Sequence, residues 1–305
     1  MRFRIITITI TLTLSIASNA QISSLCQADT LPGYGAVGII SDIENDSAQQ
    51  GQFLDWSTTL GNFSDIATIT QQELQAKMSN ETNVEKNLTK NGKTLQLPSY
   101  IDENGIDLYM LTDEGISIYM ALLAPAYWQE TSPDIIKWIR FYAWNNRERT
   151  RKIFKRYSAW EEYIKETFHS RDIPEEIAEL CIVESGCTYK AKSSAGALGM
   201  WQIMPETARA WGMTINAQKD DRTDPIKSTK VAAKILADNY RIVKDWTLCI
   251  AGYNCGMGRI NSTITKANSR YWPTVKPYLP QETQQYIPSL LAVHYVWNYR
   301  EELGL

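Results

Sequence analysis

Hydrophobic and polar positions divide the chain into three regimes. In the first, Arg2 and Arg4 precede an apolar stretch from Ile5 to Ile16 in which Thr alternates with Ile and Leu, and the small residues of Ser18-Asn19-Ala20 follow. A basic start, a short apolar core and a small-residue end mark a secretory signal over residues 1–20, too short for a stable membrane span. A cytosolic β-strand with the same alternation would leave the Arg pair and the polar switch after Ala20 unexplained. Lipidation of a new N-terminus at Cys26 is the rival reading, and Leu25 is a poor residue to precede a lipid-modified Cys. In the second regime, residues 21 to about 100, apolar residues show little periodicity among Asn, Ser, Thr, Gln and Gly. This predicts a poorly structured, partly flexible N-terminal leader over 21–105.

The third regime is helical. Over Asp134 to Lys165 apolar residues recur at helical spacing (Ile135, Ile136, Ile139, Tyr142), which predicts a helical lead-in over 106–171. From Asp172 onward further helices follow. Asp172-Ile173-Pro174-Glu175 has the composition of a capped helix start, and Ser185-Gly186 ends that helix. Pro205 opens another that stops at Gly212. Asp224-Pro225 caps a long helix to about Lys244, Trp246 starts one ending at Gly256, and a last begins after Pro280. The expected fold is mainly α, with residues 172–305 as its principal domain and no internal repeat.

Composition narrows the classes. The 305 residues carry 31 basic and 34 acidic side chains, a formal charge of −3 that becomes −5 once Arg2 and Arg4 leave with the signal. That balance argues against a nucleic-acid binder. The basic run Arg147, Arg149, Arg151, Lys152, Lys155 and Arg156 reads as a solvated helix face, with contact to an anionic polymer as the alternative. A literal G-x-G-x-x-G from Gly33 to Gly38 follows Leu31-Pro32 with no strand leading in, so it reads as a loop and not as a dinucleotide site. Two His and five Cys show no metal-ligand spacing, and no metal or cofactor is called for. In an exported chain Cys181, Cys187, Cys249 and Cys255 can pair in three ways, and the spacing does not choose.

One carboxylate breaks the apolar stripe. Ile177, Leu180 and Cys181 predict the buried face of a short helix, and Glu184 stands on that face at the C-terminal end. Apolar surroundings, the negative end of the helix dipole and the lack of a basic neighbour would each raise its pKa. A carboxylic acid still protonated near neutral pH can donate a proton to a leaving oxygen. The plainer reading is an acid at a helix end that turns to water, and the helix alone does not decide between them.

The residues that follow supply a resemblance. Glu184-Ser185-Gly186, Gly199-Met200-Trp201-Gln202-Ile203-Met204-Pro205, Ala251-Gly252-Tyr253-Asn254-Cys255-Gly256 and Glu282-Thr283 with Tyr286 resemble the ordered motifs of the lytic transglycosylases. Within them the pattern looks like the membrane-bound murein transglycosylase D branch of the goose-type lysozyme superfamily, over about residues 132–300. The resemblance implies a lysozyme-like α-helical domain with a groove for peptidoglycan glycan strands. It implies Glu184 as the single catalytic acid/base, Ser193, Gln202 and Met204 as sugar-holding positions, and Tyr253 and Asn254 facing the carboxylate. It also implies Tyr286 as the hydroxyl on the closing helix. Ser185, Gly199 and Met200 stand in the same motifs and complete the candidate substrate-binding set, and Trp201 falls where a ring could stack on a sugar.

The chain departs from the family at Cys255, Cys187 and Gly252, where Ala, often an aromatic residue, and Ala are usual. These cysteines flank the site, and a disulfide bracing it is expected. The reaction implied is cleavage between N-acetylmuramic acid and N-acetylglucosamine with closure of a 1,6-anhydro ring, inside the periplasm of a bacterium. Alternatives are a hydrolytic muramidase using a second carboxylate (Glu206, Asp220, Asp221 or Asp224) and a non-catalytic peptidoglycan-binding protein of an envelope, secretion or conjugation machine. A serine hydrolase would need His169 or His294 as base, and no G-x-S-x-G is present.

Overall fold

The computed structural model describes residues 67–90, 93–123 and 132–305. The signal segment, Cys26 and the G-x-G-x-x-G lie outside the described residues.

Part of the expected leader carries regular structure. Helix α1 (Gln71–Met78) starts at a reciprocal capping box between Thr70 and Glu73, and strands β1 (Asn83–Lys90) and β2 (Lys93–Tyr100) pair antiparallel with Leu88 opposite Leu95. Ile69, Leu74 and Leu97 are buried in the main core. The segment reads as featureless because its pattern is that of a short helix and a hairpin, each burying few side chains. Asn91-Gly92, the dipeptide most typical of two-residue hairpins, was the available signal. The hairpin is tied down at its base, where Asp107 accepts from the Ser99 hydroxyl at 2.7 Å and from the Tyr100 N–H at 3.1 Å.

Beyond this the described chain is helical, as expected: α2 (Asp113–Leu123), α3 (Pro133–Arg140), α4 (Arg147–Ser158), α5 (Glu161–His169), α6 (Leu180–Ser185), α7 (Pro205–Ala210), α8 (Pro225–Val243), α9 (Trp246–Cys255), α10 (Met257–Ala267), α11 (Trp272–Val275) and α12 (Gln281–Asn298). The organising element is α12. From Tyr286 to Trp297 every residue is buried, the mark of a helix surrounded on all sides. Helices α3, α6 and α9 pack against it. Polar atoms within this contact find partners: the Trp138 indole N–H donates to Gln285 (3.1 Å), and the Tyr142 and Ser289 hydroxyls pair at 3.0 Å. Trp138 is buried in the core.

Most of the basic run on α4 is spent inside the molecule and not on a solvated face. Arg147 and Arg151 both donate to the Gly304 carbonyl, Arg156 donates to Gly186, and burial holds the Arg149 guanidinium below its ordinary pKa. Only Lys152 and Lys155 of the run are exposed.

Candidate active site

The helix bearing Glu184 begins differently from its sequence reading. Asp172 does not cap it. The Ile173 and Asp172 N–H groups bond back to Phe168 and His169, and Asp172 takes a left-handed φ of 55°. That is the paired-bond ending of helix α5, with Asp172 in the position usually given to Gly. The chain then enters α6 through a 3-10 turn (Glu175–Glu179) behind Pro174. The ending is as expected: Gly186 is left-handed, and a Cβ there would lie 3.1 Å from Ile153 and 3.3 Å from Arg156. Arg156 donates to the Gly186 carbonyl at 2.8 Å, satisfying the acceptor end of α6 with a cation.

None of the three complete cysteine pairings forms: the structure has Cys181–Cys187 alone, with Cys249 and Cys255 as free thiols. Cys249 and Cys255 share helix α9, and six residues of α-helix separate them by about 9 Å, beyond disulfide reach. The bridge spans Glu184 symmetrically and also shares the Cys187 N–H to Cys181 carbonyl bond.

Burial of Glu184 pushes its carboxyl up to about 8. The Tyr286 hydroxyl donates to Oε1 and opposes that rise, while the charge of nearby Glu282 adds to it. The hydrogen bond occupies Oε1, which leaves Oε2 as the oxygen available to carry the acidic proton. Tyr286 is itself fully buried, and burial followed by the Glu184 charge puts its phenol well above the ordinary range. It stays a donor at any working pH.

Around this pair, the α6–α7 connection folds back in tight bridges. The Ser193 hydroxyl accepts from Ala197 N–H at 3.0 Å, and Gln202 donates its amide to the carbonyls of Ala191 (3.0 Å) and Gly199 (2.9 Å). Gly199 is at φ 88°, and a Cβ there would sit 2.0 Å from the Arg222 carbonyl oxygen, so no side chain fits. Arg222, which no periodic pattern flagged, is buried and donates to the Gly196 (2.9 Å) and Ile203 (3.1 Å) carbonyls while paired with Asp220. Across the site, Asn254 donates to Glu282 (3.0 Å) and accepts from the Thr283 hydroxyl (2.6 Å). Tyr253 donates to the Trp201 carbonyl at 2.9 Å, and burial and the Glu184 charge raise its pKa. These bonds join α9 to the loop and to α12.

The candidates therefore fall into two groups. Glu184, Ser193, Gln202, Tyr253 and Asn254 are partly exposed, Met204 is 38% exposed, and Tyr286 reaches the carboxyl from the core. Ser185, Gly199 and Met200 are buried: the Ser185 hydroxyl donates to the Met200 carbonyl (2.8 Å) and accepts from Thr188 N–H (3.0 Å). Their contact is with the loop backbone. Trp201 is also core, fully buried against Phe168, with its indole N–H on Thr229 at 2.9 Å, so its ring does not face a groove.

The proposed second carboxylates have other work. Asp220 and Asp221 are held below the usual carboxylate range by Arg222 and by Lys227 respectively, Asp224 caps α8, and Glu206 is exposed in the first turn of α7. Glu282, not among them, is the carboxylate whose charge reaches Glu184. Gly252, where Ala is usual, lies against Met257, whose sulfur would be 2.2 Å from an added Cβ. Among the described residues no group of three His, Cys, Asp or Glu side chains could hold a metal.

Parts of the chain are similar to known proteins. Residues 162–271 match the family model described as "Transglycosylase SLT domain". The "Membrane-bound lytic murein transglycosylase D" of Escherichia coli (strain K12) is 36% identical over 141 residues, covering 44% of this chain and 30% of that protein. A "Putative tributyltin chloride resistance protein" of Alteromonas sp. (strain M-1) is 30% identical over 124 residues, covering 40% of this chain and 60% of that one. The chain thus spans under a third of the first relative's length. Among solved structures, an inactive mutant of the lytic transglycosylase Slt from Pseudomonas aeruginosa aligns with a TM-score of 0.40 at 19% identity, covering 58% of this chain and 32% of that one. Residues 162–271 of this chain are thus similar to a transglycosylase SLT domain, and Glu184 lies within the matched stretch.

Proposed function

We propose that this protein is a peptidoglycan lytic transglycosylase in which Glu184 is the single acid/base. The observation that carries the reading is the Glu184 carboxyl, bonded through Oε1 to Tyr286 and pushed up to about 8 by burial, within the stretch similar to an SLT domain. Near neutral pH its Oε2 proton passes to the oxygen leaving the anomeric carbon of N-acetylmuramic acid as an oxocarbenium-like state develops. The carboxylate so formed then takes the proton of the sugar's own 6-hydroxyl, whose oxygen attacks that carbon and closes a 1,6-anhydro ring. The acid is regenerated, and no water is consumed. Tyr286 steadies the carboxylate in the intermediate stage, because a hydrogen bond to an ionised group is stronger than one to a neutral group.

Ser193, Gln202, Met204, Tyr253 and Asn254 would line the glycan groove, with residues 172–305 as the domain and 106–171 as its lead-in. An exported chain of this activity would work in the periplasm, on glycan strands and alongside envelope, secretion or conjugation machinery. Among the described residues no helix is long and apolar enough to cross a membrane. The test is digestion of purified sacculi, with released muropeptides weighed by mass spectrometry. Anhydro products from the wild type and none from Glu184→Gln are expected. Products heavier by one water would assign a hydrolytic muramidase, and full activity in the variant would remove Glu184 from the chemistry.

A further inference from the structure

A second titratable pair lies in the core, outside the chemistry above. Glu179, 2% exposed, and His294, 8% exposed, meet at 2.8 Å between Oε2 and Nδ1. Glu179 is the residue at which the 3-10 turn passes into α6, and His294 is on α12. The same two helices carry Glu184 and Tyr286. Glu179 precedes Glu184 by about 8 Å of helix rise, and His294 follows Tyr286 by about 12 Å. Helices α6 and α12 therefore run antiparallel here and are joined at two points, one of which is the acid itself. A slide or rotation of α12 that breaks one contact strains the other.

We propose that the buried Glu179–His294 pair is a positioning element for Glu184, fixing α6 against α12 so that the Tyr286 hydroxyl stays on Oε1. The proposal rests on the acid/base reading of Glu184, and the pair itself touches no substrate. Asn298 packs on the same imidazole at 3.2 Å. The charged and titratable groups facing the pair are Lys165 and Glu161 of α5, Glu176 of the 3-10 turn, and Tyr157 of α4. The Glu179 carboxylate raises the His294 pKa against the effect of burial. Glu179 is not among the groups whose charge acts on Glu184, so any effect of the pair on Glu184 passes through geometry.

The experiment reads Glu184 directly. Carboxyl carbon-13 titration of the full chain, with the Glu184 signal assigned from Glu184→Gln, needs no turnover and stands even if the reaction type is wrong. Replacing both partners (Glu179→Leu with His294→Leu) removes the pair without leaving an orphan charge. We expect a folded protein by circular dichroism whose Glu184 midpoint rises by about one pH unit, as loss of a hydrogen bond to the ionised acid requires. Tyr286→Phe alone should give the same rise, and all three substitutions together no more than either. Glycan cleavage in the double variant should fall at least tenfold in kcat with KM within twofold. A wild-type Glu184 midpoint in the folded double variant, or rises that add in the triple variant, would overturn the proposal. If the double variant does not fold, His294→Gln, which keeps a hydrogen-bonding partner for Glu179, must leave the midpoint within a few tenths of wild type; a full rise there also overturns it.

Discussion

Substituting Glu184→Gln should stabilise the protein, and the gain should depend on pH in a way that the site dictates. The folded Glu184 titrates at about 8 against an ordinary value of 4.5. Below 4.5 the carboxyl is neutral in both folded and unfolded chains, and its contribution to stability is fully present. As pH rises past 4.5 the unfolded chain releases its proton while the folded one retains it, so stability falls through the window and levels off above about 8. Each pH unit within the window is worth about 1.4 kcal/mol, so at pH 7 the wild type has forfeited about 3 kcal/mol. Water reaching this partly exposed group trims that to about 2–3 kcal/mol. The Gln amide is neutral at every pH, and its oxygen can still accept from Tyr286. Urea unfolding at pH 4, 7 and 9 measures the difference: near zero at pH 4, about 2–3 kcal/mol in favour of the variant at pH 7, and about 1 kcal/mol more at pH 9. The pH 7 gain corresponds to a rise of about 4–12 °C in Tm. A difference that does not change with pH would mean that Glu184 is not held neutral, and the acid role would lose its basis. By the same titration, cleavage activity should decline above about pH 8, where the proton donor is lost.

Other perturbations probe the frame around the acid. Gly199→Ala puts a Cβ into the Arg222 carbonyl and imposes an unfavourable φ, which should cost about 2–4 kcal/mol in thermal or urea unfolding and most of the activity. Asn254→Ala leaves the Thr283 hydroxyl and Glu282 without their partner, so kcat/KM on sacculi should drop at least tenfold with a stability loss of about 1–2 kcal/mol. Alkylation of the unfolded, unreduced protein, read by peptide mass mapping, should label Cys249 and Cys255 and spare Cys181 and Cys187. Replacing that bridge by two Ser should cost about 2 kcal/mol, since the loop it closes is short.

How much of this could be read from the residues depends on the range of the interaction. Glu184 was legible because three apolar neighbours at helical spacing place it on a buried face, a local fact. Gly186 and the Asp224 cap were legible for the same reason. The Tyr286–Glu184 bond spans 102 positions, and no periodicity encodes it; only the resemblance drew those motifs together. Asp172 misled because its side chain suits a cap, whereas the chain reversal ending α5 required a left-handed residue there. Trp201 misled in the opposite sense: its motif suggested a sugar platform, yet an indole this large is worth more against Phe168 and Thr229. Arg222 and Arg156 gave no warning at all. Their value lies in carbonyls brought to them by the fold.

Trp201 has one more implication. Its side chain belongs to the core, while its carbonyl receives Tyr253 and the next residue is Gln202. One peptide unit thus serves as the hinge pin between the hydrophobic interior and the loop that faces Glu184. Because this peptide ties the loop to the core, heating should release the loop and the fold in a single cooperative event, with glycan cleavage and structure lost together.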